Sequence, residues 1–331
     1  MNNRIVFVDL AKGICICLVV LYLVYGEIAG RVFEITNMFR MPLYFVLSGL
    51  FFKPYSSFNS FTKKKTNKLL IPLIITYIVI CFPSILIFSK EINLHTFGTI
   101  ASLKPNLGIN AAIWFLLCLY FQNIIFYLIL KISNHKLYIV ISLCLLMGYI
   151  GYSFNKNDII LPLWIDSAMT AMPFFLFGYV VKQYTSILND KMDLKYYFFA
   201  LLSLIILFSC HYYNVSVNCN TILFRDNNFD VSFFSLYLGG LSGFCFIFFL
   251  SKYINRIPII SYIGRYSIVV LITHLLNLFA IRTILHQVGV DQTSIVLNFF
   301  VFVFIIIISI PTIYICIKYF PYWFAQKDLI N

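Results

Sequence analysis

Apolar stretches of roughly 20 residues follow one another along almost the whole chain, separated by short segments with charge, proline or asparagine. A helix that crosses a bilayer needs about 20 apolar residues, because no backbone polar group can stay unpaired in hydrocarbon. The pattern therefore predicts about ten transmembrane helices, at residues 6–26, 36–52, 69–88, 111–131, 136–153, 163–182, 196–213, 232–251, 264–285 and 294–318.

Composition supports an all-α integral membrane protein with one domain over residues 1–331. Of the 331 residues, 61% are hydrophobic and 11% are charged, whereas soluble domains carry about 25% charged residues. The net charge of +12 does not indicate a nucleic-acid partner, because the basic residues lie in short loops between apolar segments. Most of the nine cysteines lie within apolar segments and none has metal-ligand spacing, so no metal site is expected.

The distribution of lysine and arginine predicts the topology. With the N-terminus inside, sixteen of them fall on the cytoplasmic side and six on the external side, while Lys12 and Arg40 lie within spans. Basic residues favour the cytoplasmic face, so an even number of spans with both termini cytoplasmic is predicted. The longest loops are then 53–68 inside, and 89–110 and 214–231 outside.

Lysines near the predicted cytoplasmic side are the first candidates for chemistry. Lys12 either forms an interfacial pair with Asp9 or directs a cation into the bundle to hold an anionic substrate. Lys65 and Lys68 lie in a basic cluster just before a span. The cluster is either a topology signal that contacts anionic lipids or a site for the phosphates of a cytoplasmic nucleotide-like substrate.

The segment 36–52 also contains polar and helix-breaking residues. Arg40 lies near its external end, so its guanidinium either reaches outward to water or faces a cavity. Pro42 and the Ser48-Gly49 pair favour a broken helix. Broken helices at membrane depth are tolerated where they line a cavity, which favours a site in this segment.

Two further polar residues lie inside predicted spans. Asp166 is a few residues from the external side, and His274 is near mid-membrane. Each is either a satisfied structural group or part of a site, and hydrocarbon makes the structural explanation more costly than in a soluble core. The residues alone favour a membrane enzyme or a transporter with a polar cavity, without choosing between them.

Six segments resemble, in order, the acyltransferase-3 superfamily, and especially the fucose 4-O-acetylase branch. They are VDLAKGICICLVVL, MFRMPLYFVLSGLFF, KKTNKLLIPLIITY, IWFLLCLY, AMPFFLFGYVVK and GRYSIVVLITHLL. The resemblance implies about ten transmembrane helices in a bacterial cytoplasmic membrane. It also implies transfer of an acyl group, usually acetyl from cytoplasmic acetyl-CoA, to a hydroxyl of a cell-surface or lipid-linked glycan. Acyl-CoA is then a co-substrate, no cofactor is held permanently, and the partners are the saccharide acceptor and membrane lipids.

In this resemblance Lys12 matches the family's basic position on the first helix, and Leu23 stands where the family has histidine. A leucine cannot accept a proton, and loss of a general base costs about 10²- to 10⁴-fold in rate. Either His274 or Glu27 serves as the base, or the protein is a degenerate relative that binds or exports a glycan or lipid, or the chain carries an inactivating substitution.

The resemblance assigns roles to the remaining candidates. Acyl-CoA and the developing negative charge would be held by the basic residues, Ser48 and Trp114 would shape the cavity, and Asp166 would lie near the acceptor with His274. The basic residues in this assignment are Lys12, Arg40, Lys65 and Lys68. A transporter with an unrelated fold is a third alternative, and it would need an inverted repeat.

Overall fold

The computed structural model describes residues 5–26, 34–55, 57–88, 98, 102–184, 192–219 and 221–330. These residues are mostly helical. In chain order the helices are α1 (Val6–Tyr25), α2 (Glu34–Asn37), α3 (Arg40–Leu50), α4 (Phe58–Phe88), α5 (Trp114–Ile132), α6 (Leu137–Lys156), α7 (Ile165–Thr170), α8 (Met172–Gln183), α9 (Leu194–Ser216), α10 (Phe233–Ile254), α11 (Pro258–Arg265), α12 (Ser267–Gln287) and α13 (Ile295–Tyr319). Two short strands, β1 (Ile222–Leu223) and β2 (Asn228–Phe229), lie between α9 and α10.

Within the described residues, eight helices are long and apolar enough to cross a membrane, and a bent pair makes a ninth candidate. The bent pair is α7 and α8, which meet at 55° where the predicted span 163–182 was expected to be continuous. The segment predicted at 36–52 contains α3, whose 11 residues are too few to cross hydrocarbon about 30 Å thick. The predicted all-α, multi-pass membrane protein is confirmed, with two of its ten segments broken or short.

The predicted cytoplasmic loop 53–68 is wrong from Phe58 onward, because α4 begins there. The Ser57 hydroxyl caps this helix by accepting a hydrogen bond from the Ser60 amide at 3.2 Å. Two π-helical stretches interrupt α4, at Thr66–Leu70 and Tyr77–Cys81. The lysines of the basic cluster are therefore held on a helix, and their directions follow its local winding.

Glycines allow two close helix crossings, which is typical of packing between helices in membranes. At the crossing of α3 with α8, a Cβ added to Gly49 or to Gly178 would lie 1.9 Å from a backbone carbonyl oxygen of the facing helix. At the crossing of α1 with α11, a Cβ on Gly13 would lie 2.0 Å from such an oxygen, and one on Gly264 1.9 Å. These crossings fix α3 and α1, the two helices that carry Ser48 and Lys12.

The segment after α13 folds back onto α4. The Trp323 indole nitrogen donates to the Thr76 hydroxyl at 2.9 Å. The buried Asn67 side chain accepts from the amides of Leu329 and Ile330, both at 2.9 Å, and donates to the Ile330 carbonyl at 2.8 Å. This C-terminal segment, residues 320–330, is thus part of the folded body.

Candidate functional site

A cavity of about 590 Å³ lies between α1, α3, α4, α5, α12 and the hairpin formed by β1 and β2. Most of its wall is apolar, with a small number of polar groups, which is the usual composition of a ligand pocket. Five of the residues predicted from the sequence line it together with Leu23, and they are Lys12, Arg40, Ser48, Lys65 and Trp114.

The cavity has two distinguishable ends, because α3 runs antiparallel to α1. The Lys12 ammonium lies 4.5 Å from the centre of the Phe51 ring at the end of α3, whereas the Arg40 guanidinium lies 3.8 Å from the Tyr22 ring near the end of α1. Lys12 and Leu23 are eleven residues apart on α1, or about 16 Å along its axis. We call the end with Lys12 the lysine end and the end with Arg40 the arginine end.

Two ammonium groups line the lysine end. Lys12 lies over the Phe51 ring, and Lys65 lies 5.6 Å and 5.7 Å from the ring centres of Phe52 and Phe61. Aromatic faces stabilise a cation without neutralising it. Among the described wall residues, Asp226 at the other end is the single carboxylate. Lys12 and Lys65 thus bring two ammonium groups to this end of the cavity, which suits an anionic ligand.

Unsatisfied hydrogen-bonding atoms line the arginine end. Arg40 is only 8% exposed, and its Nη1 has no hydrogen-bond partner among the described residues. The Asn37 Oδ1 in the same wall has none either. A buried polar atom without a partner costs about 1–3 kcal/mol. A ligand that accepts from the Arg40 Nη1 and donates to the Asn37 Oδ1 would remove this cost.

Asp166 lies outside the cavity wall, in a buried ion pair. Its Oδ2 is 2.8 Å from the Lys104 ammonium, and the two side chains are 1% and 16% exposed, respectively. Its Oδ1 accepts from the Ser167 amide at 2.8 Å, in the first turn of α7. The pair ties α7 to the segment before α5, and the ring of Trp164, two residues before Asp166, lies 6.5 Å from that of Trp114.

His274 is buried beside the cavity and does not line it. Its Nδ1 is 2.8 Å from the Val270 carbonyl oxygen, while its Nε2 has no hydrogen-bond partner in the described part of the chain. With Nδ1 donating to the carbonyl, the ring is the tautomer whose Nε2 carries the lone pair. On the same helix, Leu271 and Leu275 face the cavity.

Lys68, three residues after Lys65, points away from the cavity. Its ammonium donates to the Ala325 carbonyl at 2.5 Å and lies 3.5 Å from an Asp328 oxygen. Lys64 also binds Asp328, at 2.5 Å. The hydrogen bond from Lys64, followed by the nearby positive charge, lowers the pKa of the Asp328 carboxyl below its ordinary value. Glu27, the other predicted base, lies outside the described residues.

Comparison with known families identifies the chain. A family model described as an acyltransferase domain matches residues 5–316, which is nearly the whole sequence. The chain belongs to the acyltransferase-3 family. Comparison with curated proteins and with solved structures found no match. Together with its apolar helices, this membership makes the protein a multi-pass membrane acyltransferase.

Four wall residues of this acyltransferase were missed by sequence reasoning. Tyr22 and Asn37 lie at the arginine end, and Arg225 and Asp226 lie in the turn of the hairpin. Tyr22 and Asn37 are uncharged, so a search for ionisable groups inside spans passes over them. The hairpin lies in the stretch predicted as the external loop 214–231, but its return to the cavity depends on contacts with distant helices.

Proposed function

We propose that this acyltransferase transfers an acyl group, acetyl in the first instance, from cytoplasmic acyl-CoA to a hydroxyl of a cell-surface or lipid-linked glycan. The observation that carries the proposal is one cavity with two different ends. Lys12 and Lys65 provide cations at one end, and Arg40, uncharged polar groups and the oppositely charged Arg225 and Asp226 line the other. An anionic acyl-CoA needs the cations of the lysine end, and a polyhydroxylated acceptor needs the polar groups of the arginine end.

In this proposal the lysine end binds the phosphates of acyl-CoA. Lys12 and Lys65 are held in the wall by aromatic rings and provide point charges to phosphate oxygens. Lys64 and Lys68 lie on the same helix, outside the cavity and against Asp328. They would contribute to acyl-CoA binding only by exchanging the carboxylate for a phosphate.

Acyl transfer would take place towards the arginine end. The acceptor oxygen attacks the thioester carbonyl, a carbon–oxygen bond forms, the carbon–sulfur bond breaks, and the hydroxyl proton passes through a base to the leaving thiolate of CoA. The negative charge on the carbonyl oxygen in the tetrahedral intermediate needs a fixed donor. The unpartnered Nη1 of Arg40 would supply it.

His274 is the described side chain that we propose as the proton acceptor. Hydrogen bonding of its Nδ1 to Val270 leaves Nε2 with a lone pair and without a partner among the described residues. Because His274 is 1% exposed and lies beside the cavity without lining it, it would reach the acceptor through a side-chain rotation or a water molecule.

The second candidate function is binding or export of a glycan or lipid without acylation. The position of Leu23 favours it, because this side chain lies in the cavity wall where the family resemblance calls for a histidine. Such a protein would keep both ends of the cavity and lack fast transfer.

Purified protein in lipid nanodiscs, incubated with radiolabelled acetyl-CoA and a panel of glycan acceptors, tests the proposal. We expect label transfer by the natural chain, its loss in His274→Gln, and a gain of about 10²-fold or more in Leu23→His, since a base would then lie in the wall itself. Transfer by Leu23→His alone would support the second candidate. Absence of transfer in both proteins, with no binding of acetyl-CoA, would overturn the acyltransferase proposal.

A further inference from the structure

The hairpin between α9 and α10 is an anchored element of the cavity wall. Its strands pair Ile222 with Phe229 in antiparallel register. Phe224 is 2% exposed, and its ring packs against those of Phe45 and Phe174 at 5.7 Å and 6.1 Å. These aromatic contacts bind the hairpin to α3 and α8, so the position of its turn is set by the helix bundle.

A buried asparagine fixes the turn from its other side. Asn227 has a left-handed φ of 52°, donates to the Gly151 carbonyl at 2.9 Å and accepts from the Thr170 hydroxyl at 2.8 Å. The Asn155 side chain donates to the Phe229 carbonyl at 2.8 Å. Each of these bonds crosses to α6 or α7, so the turn is held independently of its own backbone pairing.

The turn lies at the arginine end of the cavity. The helix that follows it, α10, runs antiparallel to α1, because Phe248 near its end packs against Phe7 near the start of α1, with ring centres 5.2 Å apart. The start of α10 is therefore near the end of α1, where Leu23 lies. Leu23 and the turn residues Arg225 and Asp226 line the same cavity.

The two charged residues of the turn neutralise one another. The Arg225 Nε lies 3.1 Å from one Asp226 oxygen and its Nη2 lies 3.2 Å from the other, in a two-point contact. The side chains are 50% and 44% exposed, respectively. They thus present hydrogen-bond donors and acceptors side by side, with no net charge, at the mouth opposite Lys12 and Lys65.

We propose that Arg225 and Asp226 select the acceptor, and that the acceptor unit bound at this mouth is a neutral, polyhydroxylated sugar. This inference rests on the proposed acyl transfer, because it assigns the arginine end to the acceptor. Neighbouring hydroxyls can donate to the carboxylate and accept from the guanidinium, whereas a sugar carboxylate would meet Asp226 as a like charge. The pair is thus a specificity filter, which attracts neutral sugars by hydrogen bonding and repels acidic sugars by charge.

The Arg225–Asp226 pair predicts how sugar binding should change when either charge is removed. Removing the Asp226 carboxylate leaves an unneutralised guanidinium, which binds a carboxylate in a two-point contact. Asp226→Ala should then bind uronic-acid sugars better than neutral ones. Arg225→Ala should bind neutral sugars more weakly and should still not bind uronic acids. Loss of hydrogen bonds to charged groups corresponds to about tenfold or more in affinity.

The test is a binding measurement on full-length protein in nanodiscs, by saturation-transfer NMR. The probes are the methyl glycosides of glucose and galactose and the matched methyl uronides, which differ at one carbon. We expect the natural chain to favour the neutral glycosides by about tenfold and Asp226→Ala to reverse that order. Asp230→Ala is the matched control, since Asp230 is exposed on the same hairpin and does not line the cavity.

Equal binding of neutral and acidic glycosides by the natural chain would overturn the inference, and so would an unchanged order in Asp226→Ala or no binding of any probe. The readout does not depend on turnover. If the charge order appears and no acetyl is transferred from acetyl-CoA, the acceptor filter stands and the proposed acyl transfer fails. If acetyl transfer occurs with the same acceptors in Asp226→Ala as in the natural chain, the filter fails alone.

Discussion

Replacing Gly49 by alanine tests the helix crossing on which the cavity depends. The new Cβ would lie 1.9 Å from the Phe175 carbonyl oxygen, whereas ordinary contact begins at 3.4 Å. Both groups are attached to backbone, so no side-chain rotation relieves the overlap, and α3 and α8 must separate by roughly 1.5 Å. Overpacking of a well-packed interior costs about 1–3 kcal/mol, and we expect the upper part of that range.

Gly178→Ala provides an internal check on this reasoning. Its Cβ would lie 1.9 Å from the Val46 carbonyl oxygen in the same crossing. One separation of the two helices relieves both overlaps, so the double variant should cost clearly less than the sum of the single variants. Additive costs would show that the two glycines do not share one interface.

The assay is the fraction of monodisperse protein that survives heating, followed by size-exclusion chromatography in one detergent. Gly98→Ala is the control, because no atom of the described residues lies within 4 Å of a Cβ at that position. We expect a lower midpoint for Gly49→Ala and an unchanged one for Gly98→Ala. Acyl transfer should fall in the same variant, since Ser48 lies next to the overlap. Equal midpoints for the two variants would refute the close crossing.

Two other substitutions separate structural from catalytic roles. Asp166→Asn leaves the Lys104 ammonium buried without its partner, and we expect a loss of about 3–5 kcal/mol in thermal unfolding; normal unfolding with lost acyl transfer would instead indicate a role in chemistry. The Asp328 pKa is depressed by its bond from Lys64, so docking of the C-terminal segment should be complete above about pH 4, the ordinary value, and fail as pH falls further. Red-shifted tryptophan emission from Trp323 should report this failure, and Asp328→Asn should show it at pH 7.

Helix content was predictable because it is set by local composition. Each predicted span corresponds to helix in the structure, since apolar runs in hydrocarbon have no other way to satisfy their backbone. The breaks were harder to place. The broken helix predicted for 36–52 is present, but the break lies at residues 38–39 and Pro42 follows it, in the first turn of α3, where the missing amide is tolerated. The 55° bend that was missed precedes Pro173, near the start of α8.

The basic cluster shows where helical spacing misleads. Lys65 and Lys68 were expected to act together, and the structure directs Lys65 into the cavity and Lys68 towards Asp328. The stretch Thr66–Leu70 between them is π-helical, and a π turn contains more residues than an α turn. Three residues therefore turn through a smaller angle than α-helical spacing assumes, and the two ammonium groups diverge.

Leu23 distinguishes the residues that form the cavity from the single group that the reaction needs as a base. The cavity is built by residues on α1, α3, α4, α5, α12 and the hairpin, so one leucine leaves its charges and shape in place. Substrate binding is distributed over these elements, while proton transfer depends on one group in reach of the hydroxyl. A chain with Leu23 should therefore bind acyl-CoA and acceptor as Leu23→His does, and the two proteins should differ in turnover and not in affinity. Weaker binding by the natural chain would mean that position 23 shapes the cavity as well.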